Sequence, residues 1–372
     1  MPRLTSFPLL SLLLFFLVSA SPGWAQSRQR APKRPAQAQT QAQTYAEKLG
    51  WKKGDRVVIL HIDDAGMSYD SNLGTIRAME EGVANSVSVM MPCPWVPGFV
   101  RYLKDNPGVD AGLHLTLTSE WRDYRWGPLV GKPAAPGLVD AEGAMWRGVG
   151  QVVSNASPDE VEKEIRAQLE RARSMGFEPT HLDSHMGTLF ATPEFMARYI
   201  KVGVEERIPV MFPGGHNYFL TEEYREEARA QLIREGKYQE GQDVPVPAIL
   251  GQAQAVGQQI WAAGLPVLDD LHNTSYGWKL PAGVPPTPEN LQRMKAEKYV
   301  EAIRNMKPGL TMVIMHCTDP TEVFAQISDS GASRQGDLLA MLDPSVRQAL
   351  QQEGIILTTW RELKERREKA KQ

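Results

Sequence analysis

Arg56-Val57-Val58-Ile59-Leu60-His61-Ile62 is an apolar run of strand length that passes directly into Asp63-Asp64-Ala65-Gly66. A continuous run of this kind suits a strand buried on both faces, as in a parallel sheet, and the polar turn puts two carboxylates at its C-terminal end. Two further segments answer it. His114 lies within Ala111-Gly112-Leu113-His114-Leu115-Thr116-Leu117, and Thr180-His181-Leu182-Asp183-Ser184-His185 closes on another imidazole. Three strand-like segments thus each deliver an imidazole or a carboxylate. These are the ligand types that hold a hydrolytic metal with one coordination position left open.

Working outward, helical and strand patterns alternate along the chain. Ser71 to Glu81 reads as a helix stopped by Gly82, and Val83 to Met91 as a second strand closed by Pro92 and Pro94. Asp110 to Leu117 is a third strand. Ser157-Pro158-Asp159-Glu160 forms a capping box before the apolar stripe Val161, Ile165, Leu169 and Ala172, and this helix runs to Gly176. Later come a helix over 288–306, a strand over 310–315, a strand over 354–359 and a helix over 360–369. Strands alternating with helices mean a parallel sheet, open or closed into a barrel. The polar residues Asp63, Asp64, Asp183 to His185 and His316 all fall at C-terminal strand ends, where a (β/α) barrel builds its site. No Gly-rich phosphate loop follows any strand, so nothing argues for a nucleotide-binding open sheet.

The N-terminus carries a separate message. Arg3 precedes the apolar run Phe7 to Ala20, and Gly23-Trp24-Ala25 offers a small residue before Gln26. A short apolar core with a basic start reads as a secretory signal peptide, because a spanning helix needs roughly 20 apolar residues. Residues 1–25 are therefore expected to be removed on export, giving a secreted or periplasmic protein; an uncleaved anchor is the alternative. Residues 26–45 are expected to form a flexible linker, and 46–372 a single catalytic domain.

With 41 Lys and Arg against 44 Asp and Glu, the charge gives no reason to expect nucleic acid. Only Cys93 and Cys317 occur, so no cysteine-based zinc site is available, although the pair can in principle cross-link in an oxidising compartment.

The motifs Leu60-His61-Ile62-Asp63-Asp64-Ala65-Gly66, Asn72-Leu73-Gly74 with Ala78, Gly82 and Ser86, Gly112 to Thr118 and Thr180 to His185 stand in one order over residues 54–320. In this the chain resembles the YdjC/ChbG-like carbohydrate deacetylases. That resemblance implies an irregular (β/α) barrel, TIM-like and akin to the polysaccharide deacetylase fold. It further implies removal of acetyl groups from N-acetylated sugars with one divalent metal ion. Residue by residue, it implies metal binding by Asp64, His114 and His185, with Asp63 as catalytic base.

The chemistry is consistent with this. An amide carbonyl is a poor electrophile, so its hydrolysis calls for a Lewis acid and an activated water, while a carboxylate off the metal takes the proton. Asp63 and Asp64 at a strand-to-loop turn can diverge, one to the metal and one to the water. The plainer reading of the pair is a turn capping the next helix. His316, after the strand Leu310 to Met315, is a candidate donor of the proton that the departing amine needs. In the family such a histidine is usually followed by Pro-Gly, whereas here Cys317-Thr318 follows.

His181 and Asp183 are candidates for hydrogen-bonding a metal ligand or contacting substrate; turn formation is the plainer reading of Asp183. His61, where many relatives have Asn, is expected to alternate away from the metal. His216 and His272 read as surface histidines. Trp121, Trp126 and Trp146 are candidate platforms for sugar rings, or simply loop anchors.

Relatives often carry further histidines after the Asp-Ser-His segment, but here Met186-Gly187-Thr188-Leu189-Phe190 follows. The acyl pocket, the metal (Mg2+ or Zn2+) and the sugar therefore stay open. The expected partners are an acetylated sugar or oligosaccharide and, at most, a second copy of the chain as a homodimer, with no stable membrane insertion. Two other classes compete with the deacetylase: a metallohydrolase of the same fold acting on another ester, amide or phosphoester, and a non-catalytic carbohydrate-binding protein.

Overall fold

The computed structural model describes residues 43–244, 246 and 248–370. The expected leader and nearly all of the expected linker lie outside the described residues. Among the described residues, strands β1 (Arg56–Ala65), β2 (Ser86–Val89), β3 (Ala111–Leu115), β4 (Leu182–Ser184), β5 (Asp270–His272), β6 (Gly309–Met315) and β7 (Ile356–Leu357) are interspersed with thirteen α-helices. The helices are α1 (Tyr45–Lys48), α2 (Tyr69–Glu80), α3 (Val96–Asp105), α4 (Val149–Asn155), α5 (Pro158–Ser174), α6 (Pro193–Glu206), α7 (Tyr218–Arg234), α8 (Ala248–Ala262), α9 (Pro288–Asn305), α10 (Phe324–Ile327), α11 (Gly331–Leu342), α12 (Pro344–Gln352) and α13 (Trp360–Lys369). All strand pairs are parallel.

The strands lie in the order β4-β3-β2-β1-β6-β5, with β7 also paired to β1. Between edge strands β4 and β5 runs the extended segment 209–214. It bonds β4 through Leu182 N to Pro209 O and Met211 N to Leu182 O, and it bonds the approach to β5 through Leu268 N to Phe212 O. The result is a curled half-barrel sheet whose gap this segment spans: the irregular (β/α) barrel that the family resemblance implies. Residues 57–60 and 62 of β1 are fully buried, as a strand at the centre of such a sheet must be.

Local signals behave as their chemistry dictates. Ser157 and Glu160 form the reciprocal capping box of α5. Ser68 caps α2 by accepting from Ser71 N, so that helix starts two residues before the expected Ser71. At Gly74 an added Cβ would come within 2.5 Å of the Thr318 backbone; the bare backbone lets α2 sit against the loop after β6.

The expected linker boundary at residue 45 shifts. Thr44 caps α1 and Tyr45 is buried, because Asp269 accepts from the Tyr45 and Ala46 backbone N–H groups at 2.8 and 3.0 Å. Cys93 and Cys317 are both buried free thiols. No helix among the described residues is long and apolar enough to cross a membrane.

Candidate metal centre

β1 does not turn at Asp63 but continues to Ala65, with its register shifting between Ile62 and Ala65 against β2. Asp64 takes a positive φ of 68°. Residues with a Cβ adopt this left-handed region at a cost, so it marks a position held by its surroundings. Its consequence is that the two neighbouring carboxylates part company.

Asp64 turns to the histidines. Its Oδ1 lies 3.3 Å from His114 Nε2 and 3.3 Å from His185 Nδ1, and this oxygen is buried with no hydrogen-bond partner. Three donor atoms of a potential metal set thus converge from β1, β3 and the end of β4. Donor spacing near 3.3 Å is the edge of a tetrahedron with bonds of about 2.0 Å, as zinc-type N/O sites use. The orphaned oxygen and the donor spacing fit a divalent cation. His185 is aimed inward because the chain reverses directly after it, at Met186 (φ 53°) and Gly187 (φ 64°).

Each histidine of the triad is held from behind by a carboxylate, which fixes the ring and its tautomer. His114 opposes Asp183 in the β3/β4 register, and its Nδ1 lies 2.7 Å from Asp183 Oδ1. His185 Nε2 lies 3.1 and 3.2 Å from the two oxygens of Glu120. Burial disfavours the charged rings. Even so, the charges of Asp63 and Asp183 carry His114 well above its ordinary range, and Glu120 and Asp64 lift His185 to about 9. Glu120 was missed by sequence reasoning, although a polar residue just past the end of β3 follows the same rule as the others.

The second oxygen of Asp64 belongs to Arg334 of α11, whose Nη2 lies 2.6 Å from Oδ2. Both side chains are buried. Burial would raise the Asp64 carboxyl, but Arg334, His114 and His185 together hold it well below the usual range. No sequence signal marks Arg334.

Asp63 lies outside this triad. Its Oδ2 is 3.9 Å from His316 Nε2, and its Oδ1 accepts from Ser88 Oγ at 3.3 Å. His316 follows β6 as expected and packs edge-on to Tyr276 with ring centroids 4.4 Å apart. Burial, reinforced by Arg334 and opposed by Asp64, pushes His316 down to about 4. Its imidazole is neutral at physiological pH.

His61 is no member of the triad, but it stays in the site: it sits two residues before Asp63 on the same strand face, with Nε2 3.1 Å from Asp63 Oδ1. Other expectations are corrected. His181 is fully buried and stacks on Trp360 at 5.1 Å, which leaves no face of the ring open to solvent; its Nε2 lies 3.5 Å from Asp183 Oδ2, a supporting position. His272 is not on the surface but buried between Phe219 and Trp278. Trp121 and Trp126 are only 9% and 6% exposed and pack on each other at 5.3 Å, so they are not open platforms. Trp121 instead walls the site, its ring 6.4 Å from that of His185. Trp146 is anchored through Nε1 to Gly137 O.

Set against known proteins, residues 57–352 match the model of the family described as YdjC-like protein. The chain is 29% identical over 319 residues to a carbohydrate deacetylase of Thermus thermophilus, covering 86% of this chain and 97% of that one. It is 35% identical over 173 residues to a carbohydrate deacetylase of Brevibacillus brevis; there the match takes in 46% of this chain and 63% of the relative. A crystal structure from Enterococcus faecalis, of a candidate cellobiose-phosphate cleavage protein, superposes with a TM-score of 0.62 at 16% identity, over 83% of this chain and 99% of that one. This last likeness is one of fold.

Proposed function

We propose, from the premise that the chain belongs to the YdjC-like protein family, that it is a metal-dependent hydrolase removing acetyl groups from N-acetylated amino sugars or their oligosaccharides. The observation that carries this reading is the divergence of two adjacent carboxylates. Asp64 joins His114 and His185, and Asp63 stays outside that triad facing His316. A binding module has no use for a buried carboxylate held beside a metal triad but outside it; hydrolysis does. The relatives named as carbohydrate deacetylases support the choice of substrate class.

Asp64, His114 and His185 would hold the divalent ion. Bound there, such an ion supplies Lewis-acid polarisation of the acetyl carbonyl and a water of lowered pKa. Arg334 fixes Asp64 from the opposite side, so that Oδ1 alone is presented to the triad. Asp63 is the base that takes the proton of the attacking water. Neutral His316, 3.9 Å from Asp63 Oδ2, is placed to receive that proton and pass it to the amine, which must leave protonated. Trp121 beside His185 excludes water from one wall of the site.

The test is acetate release from a panel of N-acetylated sugars by metal-loaded and chelator-treated protein. Chelator-sensitive acetate release is expected. Hydrolysis of esters or phosphoesters with no amide cleaved would replace this reading by the other metallohydrolase.

Export belongs to the same proposal, supported by the apolar run of residues 7–20 and the Ala25-Gln26 junction. N-terminal sequencing of the exported protein is expected to begin at Gln26. A membrane-retained product with an intact leader would overturn that part.

A further inference from the structure

We propose that His61 is a positioning residue, an imidazolium set between Asp63 and Asp183 that holds the candidate base and the support of His114 in one fixed arrangement. His61 Nε2 lies 3.1 Å from Asp63 Oδ1 and 3.0 Å from Asp183 Oδ2. The opposite edge of the ring is fixed as well, with Nδ1 2.9 Å from Ser86 Oγ, the residue that pairs with His61 in the β1/β2 register. Asp183 reaches His114 with its other oxygen, and Ser88 Oγ touches His61, Asp63 and His114 at 3.1, 3.3 and 3.2 Å. One ring therefore connects the base to the triad without belonging to it.

Electrostatics require a cation at this point. Oxygens of Asp63 and Asp183 approach within 4.8 Å of each other, both residues buried. Two carboxylates so close in a poorly solvated setting repel unless a positive charge stands between them. Arg334, a buried cation, reaches Asp64, and Lys295, another, reaches Asp337; Asp63 and Asp183 are met instead by histidine rings and by Ser88. Burial works against a charged His61, but hydrogen bonds to Asp183 and Asp63 overcome it and raise the ring to about 9. Neighbouring His181 goes the other way: burial lowers it, and the charge of His61 adds to that.

His61 cannot itself meet substrate. It is fully buried, and His181 stands edge-on to it with ring centroids 5.0 Å apart. His181 is in turn clamped between Trp360 and the bare backbone of Gly112, where a Cβ would come within 2.4 Å of the ring. Without the cation, repulsion between Asp63 and Asp183 would push the base out of position while leaving Asp64, His114 and His185 in place. The kinetic consequence rests on the deacetylase reading; the charge and hydrogen-bond arrangement do not.

The experiment compares full-length wild type with His61→Gln, which keeps an N–H donor without the charge, and with His61→Asn and His61→Ala. Metal content, metal affinity, kcat and KM are measured on each metal-loaded protein. In parallel, 15N-histidine spectra of wild type and Asp63→Asn are recorded, with the His61 signals assigned by their loss in His61→Gln. Expected are unchanged metal content and KM in His61→Gln, with kcat reduced ~10- to 100-fold, approaching the cost of losing a general base. In wild type at neutral pH both ring nitrogens of His61 should carry protons, and their shifts should move in Asp63→Asn.

A kcat within twofold of wild type in His61→Gln and His61→Asn would overturn the proposal, as would a neutral His61 ring. So would two ions per chain in wild type falling to one in His61→Gln, because His61, His181 and Asp183 would then be ligands of a second metal. If His61→Ala fails to fold, the Gln and Asn variants decide. If wild type releases no acetate from any sugar, the proposed function fails, and the spectra still judge His61.

Discussion

Arg334 Nη2 lies 2.6 Å from Asp64 Oδ2, joining two buried side chains 270 residues apart in sequence. This pairing divides the Asp64 carboxylate in two: one oxygen is spent on a guanidinium, and the other faces His114 and His185 without a hydrogen-bond partner. Arg334→Ala would leave a buried carboxylate uncompensated. The expected loss is about 3–5 kcal/mol of stability in chelator-treated protein, the scale for breaking a buried ion pair from one side. Excess metal should narrow the deficit, since a cation bound by the folded state alone stabilises it. Denaturant unfolding with and without chelator measures both, and a loss below about 1 kcal/mol would show the pair to be incidental.

The two adjacent carboxylates should separate in mutagenesis. Asp63→Asn is expected to keep its metal and lose ~10²-fold or more in turnover, the scale of a general base, whereas Asp64→Asn should lose metal affinity itself. Metal analysis beside acetate release reads both. Equal metal loss in the two variants would reverse the assignment.

Asp183 and Glu120 should act on metal affinity from behind the ligands. Asp183→Asn and Glu120→Gln each free one histidine ring from its fixed tautomer, and each is expected to weaken binding by roughly 10–100-fold. Competition with a chromophoric chelator gives the constants. Unchanged affinity in both would mean that the 2.7 and 3.1 Å contacts orient nothing.

His272 gives a pH signature away from the metal triad. Burial depresses it to about 4, so the folded chain resists its protonation more than the unfolded chain does. Its contribution is therefore complete above pH 6.5, the unfolded value, and is lost as pH falls towards 4. Between pH 7.5 and pH 5 wild type should lose about 2 kcal/mol more stability than His272→Gln. Parallel pH profiles for the two proteins would contradict this.

His316→Ala should depress kcat on amides far more than on activated esters, whose leaving groups need little protonation. Equal losses on both substrates would assign His316 to holding the site together instead.

Much of this molecule is legible from local pattern. The strand at 56–62, the helix capped by Ser157 and the strand before His316 follow from apolar periodicity and capping chemistry, which act between residues a few positions apart. The segment 209–214 escapes that reading because Pro209 and Pro213 interrupt its short apolar run; its strand-like pairing comes only from the edges of β4 and β5. The role of His61 escapes the local pattern for a related reason. Strict alternation correctly separates it from Asp64, but alternation does not say that the Asp63 side of the strand leads to Asp183.

By itself, then, the sequence determined the parallel α/β architecture and the three segments that carry Asp64, His114 and His185, because strand formation and metal-ligand type are properties of residues in their local context. Only the tertiary structure decided which oxygen of Asp64 is presented, that Glu120 and Asp183 stand behind the two histidines, and that Arg334 and His61 supply charge beneath the site. Those relationships depend on sheet register, on the positive φ at Asp64 and on the packing of α11 against the barrel. Hydrogen bonds and ion pairs hold over about 3 Å, and a distance that short between residues far apart in the chain exists only once the fold has brought them together.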